Sequence, residues 1–190
     1  AHEAGILVHM DGARIFNAAT FLGEDVSAMT RKCDSIQFCL SKGLGAPVGS
    51  LVVGSRDLIE RCRSIRKMLG GGMRQAGVLA AAGLVALEDG PKRLWMDHEN
   101  AKRLAWGLLE IPGIAINVEK VQTNIVIFSL EGSGIRSADF LSALRQRNIL
   151  ALPVDDIRVR MVTHLELDRA AIDRAIEAAS EVMRKHEHAR

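Results

Sequence analysis

The sequence predicts an α/β fold in two parts, a large-domain portion of doubly wound sheet type over residues 1–91 and a small α+β domain over residues 92–190. Three observations predict it. Short apolar runs that end at turn residues alternate with helix-period segments as far as residue 90. The pattern changes at Gly90-Pro91, a helix-stopping pair. Beyond that pair, short strands bracket one helix and precede a long amphipathic one, the arrangement of a compact α+β unit.

Taken in order, Gly5–His9 reads as a buried strand ending at Asp11-Gly12, followed by a helix over Ala13–Ala19 and a shorter one over Val26–Arg31. Ser35–Leu40 is a second strand, and Pro47–Gly54 a third after a glycine-rich bend. Ser55 is placed to cap a helix carrying Leu58, Cys62, Ile65 and Leu69 at helical spacing until Gly70-Gly71-Gly72 stops it. The apolar segment Gln75–Leu87 reads as a buried helix. After the break, Lys92–Glu110 carries Leu94, His98, Ala101, Ala105 and Leu108 on one face, with Trp95 and Trp106 expected as packing groups. Strands follow at Ile114–Val118, Asn124–Leu130, Ile149–Val154 and Ile157–Thr163, with a helix over Ser137–Arg147 among them. The last helix, from Asp168, sets Ile172, Ala175, Ile176, Ala179 and Met183 on one side.

Composition limits the function classes. The 190 residues include 25 Lys plus Arg and 23 Asp plus Glu, a net charge of +2, and 48% are apolar, which excludes a disordered chain. The basic residues are scattered, so a nucleic-acid partner is not expected. The longest apolar stretch, Ala76–Leu87, falls well short of the roughly 18 residues of a transmembrane candidate, so no membrane partner is expected either. Cys33, Cys39 and Cys62 are an odd set without Cys-x-x-Cys spacing and read as reduced, mostly buried thiols, and hence as a cytoplasmic protein with no zinc site. His186 and His188 in the charged tail lack further ligands and read as solvated.

The pair with most chemical content is Asp11 and Lys42, each just past the C-terminal end of a predicted strand, with a helical crossover between those strands. In a doubly wound sheet that edge holds the ligand crevice. A carboxylate and a lysine in one crevice suit pyridoxal phosphate: the lysine joins its aldehyde as a Schiff base, and the carboxylate keeps the pyridine nitrogen protonated. Gly43 and Gly45 permit close backbone approach beside the lysine. By spacing alone, a solvated loop lysine and an Asp-Gly helix cap remain open as readings.

The words around these residues narrow the choice. His9-Met10-Asp11-Gly12-Ala13-Arg14, Ser41-Lys42-Gly43-Leu44-Gly45-Ala46-Pro47-Val48-Gly49-Ser50, Gly70-Gly71-Gly72-Met73-Arg74-Gln75 and Arg160-Met161-Val162-Thr163-His164 resemble, in order, signatures of the low-specificity threonine aldolases. These are pyridoxal phosphate enzymes of the aspartate aminotransferase fold, a three-layer large domain followed by a small one. The resemblance implies that Lys42 is the Schiff-base lysine, that Asp11 faces the pyridinium nitrogen, and that Arg14 and Arg160 hold the substrate carboxylate, a task suited to a planar guanidinium. Along 158–161 the alternation alone leaves either Arg158 or Arg160 facing water. Arg74 is implied to reach a cofactor phosphate from a neighbouring subunit, although its triple glycine also reads as a helix stop. His9 and His164 are assigned structural roles.

The resemblance implies cleavage of threonine, allo-threonine and related β-hydroxy-α-amino acids to glycine and an aldehyde, by a homodimer or homotetramer. It also implies that the first portion of the large domain lies outside this chain, with the ring-stacking histidine, much of the phosphate loop and the groups that handle the β-hydroxyl. The chain alone is then expected to be inactive. The alternatives are another lyase or transferase of the same fold type, and a noncatalytic fragment serving assembly.

Overall fold

A computed structural model describes residues 1–188, in two units, Ala1–Leu94 and the residues from Trp95 onward. The first unit is built on strands β1 (His9–Asp11), β2 (Ser35–Cys39) and β3 (Ser50–Gly54), in the order β1-β2-β3. β1 and β2 are parallel, with Asp11 opposite Gln37, and β3 is antiparallel to β2, with Ser50 opposite Cys39. Alternation sorts the sheet into a polar face with His9, Asp11, Ser35, Gln37, Cys39 and Ser50, and an apolar face with Met10, Ile36, Phe38, Leu51 and Val53. On the apolar face Phe38 meets Phe16 of helix α1 (Ile15–Leu22) edge to face, with ring centroids 5.6 Å apart. Leu40, Leu44, Ala46, Ala86 and Leu94 form the buried cluster of this unit.

The predicted strand over Gly5–His9 starts later than its apolar run. Gly5 takes a left-handed φ of 68° to close a single 3-10 turn, Ile6 and Leu7 are exposed, and pairing begins only where the Val8 carbonyl accepts from the amides of Asp34 and Ser35. Helix α2 (Val26–Thr30) is capped by Asp25, whose Oδ1 accepts from the Ser27 amide at 2.7 Å. Helix α3 (Arg56–Met68) is capped by Ser55 as expected, with Asp57 in its first turn and Arg66 and Lys67 in its last, each sign matched to the helix dipole.

Helix α4 (Gly77–Leu109) departs from expectation, because it runs through Gly90-Pro91 without a break. Pro91 removes one donor, yet the helix continues, and Gly90 serves close packing instead of termination: a Cβ there would meet the Leu44 carbonyl oxygen at 2.8 Å. Nor is its first part the buried helix its composition suggests. Gly83, Ala86 and Gly90 are buried, whereas Val78 is 70% exposed and Leu84 and Val85 are exposed too.

In the second unit, β4 (Ile125–Ser129), β5 (Leu152–Pro153) and β6 (Arg158–Val162) make an antiparallel sheet ordered β4-β6-β5. The expected strand at Ile114–Val118 is reduced to one bridge, Ala115 with Ser129, since Asn117 turns the chain into a 3-10 turn by accepting from the Glu119 amide. Helices α5 (Ser137–Arg145) and α6 (Arg169–His188) contribute to a core in which Phe128 meets Phe140 at 5.9 Å. Ile172, Ala175, Ala179 and Met183 of α6 are buried as their spacing predicts, as are His98, Ala101, Ala105 and Leu108 of α4. Trp95 and Trp106 are not packing groups: each is 56% exposed, because both lie off that buried face. No helix among the described residues is long and apolar enough to cross a membrane.

Candidate active site

Parallel strands bring their C-terminal ends to one sheet edge. Asp11 is the last residue of β1 and is exposed, with Oδ1 accepting the Ala13 amide at 3.1 Å, so the Asp-Gly turn that starts the next helix also holds the carboxylate. The Gly12 amide donates to the Gln37 carbonyl at 2.7 Å and extends the ladder by one bond. Lys42 stands three residues beyond β2 in a loop pinned from both sides. The Leu40 amide donates to the Gly49 carbonyl at 2.9 Å, the Ala46 amide to the Leu40 carbonyl at 3.0 Å, and the Gly45 amide to the Lys42 carbonyl at 2.9 Å. Leu40, Gly43, Leu44 and Ala46 are buried while Lys42 is exposed, so the loop is anchored around an outward lysine. Arg93 Nη2 donates to the Gly43 carbonyl at 3.1 Å.

On the polar face, the strand that leads into the lysine loop ends in a thiol, Cys39, expected from the sequence to be a plain buried one. Cys39 is half-buried, as are Cys33 and Cys62, and its sulfur accepts from Gln37 Nε2 and Ser50 Oγ, each at 3.3 Å. Burial pushes the Cys39 thiol up, but the hydrogen bonds from Ser50, Gln37 and Lys42, with the Lys42 charge, outweigh it and hold the thiol below its ordinary range. Gln37 and Ser50 were missed as well. The available signal was the alternation of polar Ser35, Gln37 and Cys39 within an otherwise apolar strand.

Arg14 immediately precedes α1, three residues beyond Asp11, and is partly buried. Arg74 follows the triple glycine in an exposed stretch. There the Gly70 and Gly71 amides donate to the carbonyls of Lys67 and Arg66, so the glycines close α3 as a helix stop. Arg74 forms no hydrogen bond or ion pair with Asp11 or Lys42 among the described residues. In the second unit, Arg160 lies in the middle of β6, between Ile127 and Leu152, partly buried, and its buried Nε has no hydrogen-bond partner among the described residues. Arg158 is already engaged, its Nε 2.7 Å from Asp155 Oδ2. The two arginines left open by alternation are thus distinguished: one is satisfied, and the other keeps a buried donor that calls for an acceptor.

The histidines serve local structure. His9 Nδ1 bonds Ser35 Oγ at 2.8 Å, and His164 Nδ1 accepts the Glu166 amide at 3.4 Å. His188 Nδ1 bonds the Arg184 carbonyl at 2.7 Å. No cluster of three or more His, Cys, Asp or Glu among the described residues is placed to hold a metal ion.

Known proteins resemble this chain in sequence and in fold. The family model described as beta-eliminating lyase matches residues 1–131. The chain is 42% identical over 184 residues to low-specificity L-threonine aldolase 1 of Arabidopsis thaliana, covering 96% of this chain and 51% of that protein. It is 44% identical over 170 residues to the low specificity L-threonine aldolase of Escherichia coli, covering 88% and 48%. The chain therefore spans about half the length of these relatives. Among solved structures, a protein of Exiguobacterium sp. 255-15 assigned as an aromatic amino acid beta-eliminating lyase/threonine aldolase superposes with a TM-score of 0.77 at 20% identity, over 95% of this chain and 54% of that one. Leishmania major threonine aldolase gives 0.69 at 17% identity, over 96% and 53%. A structure of SPT with PLP gives 0.69 at 22% identity, over 98% and 50%. These likenesses place the fold among the pyridoxal phosphate enzymes of the aspartate aminotransferase type.

Proposed function

This chain belongs to the beta-eliminating lyase family, and from that premise we propose that the protein is a pyridoxal phosphate-dependent aldolase cleaving threonine, allo-threonine and related β-hydroxy-α-amino acids to glycine and an aldehyde. The observation that carries the reading is the placement of the Asp11 carboxylate and the Lys42 amine at one sheet edge. The residues of the first unit fit the cofactor, with an acceptor for a ring nitrogen and an exposed amine in an anchored loop, and the buried Nε donor of Arg160 suits a substrate carboxylate. When bound, pyridoxal phosphate supplies an aldehyde that joins amines covalently and a ring that takes up the electron pair of a breaking bond.

Each residue then has a defined task. Lys42 provides the amine that anchors the cofactor and, once a substrate amine has replaced it, moves a proton at Nζ. Asp11 holds a proton on the ring nitrogen by its negative charge. Arg160, helped by Arg14, grips the substrate carboxylate, which fixes the orientation of the bond to be broken. Arg74, exposed beyond α3, suits a cofactor phosphate in a neighbouring copy of a homodimer or homotetramer. Residues 1–91 form the later part of the cofactor-binding domain and residues 92–190 the small domain. The base for the β-hydroxyl, the ring-stacking group and most phosphate contacts belong to the portion of the relatives that this chain does not match. The reading places the protein in the cytoplasm, in threonine breakdown and glycine formation.

The test is borohydride reduction of the protein with added pyridoxal phosphate, followed by peptide mass mapping. A phosphopyridoxyl adduct confined to Lys42 is expected. An unmodified Lys42 in protein that is folded by circular dichroism refutes the cofactor site and favours a noncatalytic role in assembly. In protein completed by the portion of the relatives that this chain does not match, transamination without threonine cleavage favours another enzyme of the same fold type.

A further inference from the structure

We infer that Ile127 and Leu152 are positioning residues for Arg160: from the strands on either side they hold its aliphatic stem and keep water from its Nε, so that an incoming carboxylate meets a fixed and partly desolvated guanidinium. The purpose rests on the functional reading above, and the test does not. β6 is the central strand of its sheet, and Arg160 is paired with Ile127 of β4 on one side and with Leu152 of β5 on the other. Side chains paired in this way share one face of the sheet and stand with their Cβ atoms about 4.5–5.5 Å apart. The opposite face is closed, since Val126, Phe128, Val159 and Met161 are buried in the core. The face with Arg160 is open, with Ile127 44% and Leu152 60% exposed. Yet on this open face the Arg160 Nε is buried and has no hydrogen-bond partner among the described residues. The side chains directly across from it are aliphatic, and cover of that kind removes water from a nitrogen without offering it an acceptor.

The rest of the face supplies no anion either. Two residues away along β6, Arg158 is bonded to Asp155, and in the other direction Val162 brings a further aliphatic group opposite Ile125. β4 and β5 carry no acidic residue. A buried donor left unpaired is costly, and a carboxylate that reaches it recovers that cost through a charge-assisted bond. Excluding water also strengthens the attraction, because charges interact more strongly where the dielectric is low. A polar residue at 127 or 152 would bring water or a competing acceptor to Arg160 and lose both effects.

The test uses the chain without cofactor and reads the Arg160 Nε–H by nitrogen–proton NMR, assigned with Arg160→Lys. Its exchange with water is expected to be several-fold slower than that of the exposed Arg145, and sodium acetate should shift it where sodium chloride at equal ionic strength does not. Ile127→Thr and Leu152→Gln, both at exposed sites, should each speed this exchange several-fold and weaken the acetate shift. Ile127→Val and Leu152→Met should keep most of both. The Nε–H of Arg158, held by Asp155, is the reference and should stay unchanged throughout, which a general loosening of the sheet would not allow. The inference is overturned if Arg160 exchanges like Arg145 in the native chain, if the polar substitutions leave it unchanged, if Arg158 changes in parallel, or if acetate never moves it. Each of these results stands whether or not Lys42 takes up cofactor in the borohydride experiment.

Discussion

Replacing Gly43 by alanine tests how the lysine loop is held. A Cβ at this position would lie 3.0 Å from Leu94 Cδ2 and 3.2 Å from Asn17 Cγ, and closer still to Asn17 Oδ1. Carbon atoms rest at about 3.5–4.0 Å, so each neighbour must withdraw by about half an ångström. Neither does so freely, since Leu94 is fully buried and Asn17 is nearly so. Overpacking of this kind costs about 1–3 kcal/mol. For a chain of this length that is a fall in Tm of roughly 2–12 °C. The strain falls on the residue next to Lys42, whose carbonyl also holds Arg93, so labelling of Lys42 by cofactor and borohydride should drop with it. Gly72→Ala is the matched control: its Cβ would meet Lys67 at 3.8 Å, an ordinary contact, and its effect should stay within about 0.5 kcal/mol. Equal melting temperatures for Gly43→Ala, Gly72→Ala and the native protein would refute the argument that packing against Leu94 and Asn17 sets the loop.

Two further outcomes follow from the second unit. Burial pushes His98 below the ordinary histidine range, with the Lys102 charge acting in the same direction and Glu99 opposing it. The unfolded chain therefore binds the proton first, and the stability that neutral His98 contributes above about pH 6.5 is lost as pH falls toward its folded value. Urea unfolding at a series of pH values should show a steeper decline from pH 7 to pH 5 in the native protein than in His98→Gln; parallel declines would refute the assignment. Thr163 is fully buried, and its Oγ1 donates to the Asp97 carbonyl at 2.6 Å. Thr163→Val keeps the shape and removes the bond, so unfolding free energy should fall by about 1 kcal/mol with an unchanged urea m-value, and no loss would mean that the hydroxyl contributes nothing net.

Most helices and the central strands were legible because they rest on local signals. Ser55 capped its helix, and the α6 residues were buried at the spacing they displayed. The position of Asp11 and Lys42 at the ends of neighbouring parallel strands was legible because turn residues and glycines bracket them. What failed depended on partners distant in sequence. Gly90-Pro91 reads as a stop until Leu44 is seen lying against Gly90. Val78, Leu84 and Val85 read as core, but the face of that helix turned to the unit's buried cluster carries Ala86, Leu87, Gly90 and Leu94 instead. The hydrogen-bonded setting of Cys39 needed the register that sets Ser50 across from it, which no periodicity reveals. Alternation left Arg158 and Arg160 open and only the resemblance favoured Arg160; the ion pair of Arg158 with Asp155 adds the physical reason, since it leaves Arg160 with the buried donor.

The contact between Gly90 and Leu44 also bears on how this scaffold can be diversified. A helix backbone that touches the lysine loop directly, with no side chain between them, acts as a fixed gauge: any atom added at position 90 is transmitted undiminished to the segment carrying Lys42. Saturation libraries built on this scaffold should hold residues 43 and 90 constant and spend their diversity elsewhere. Trimming Leu44 would relieve only its Cδ2 at 3.0 Å and leave the carbonyl oxygen at 2.8 Å and Cα at 3.0 Å, so selections should return glycine at position 90 whatever stands at 44.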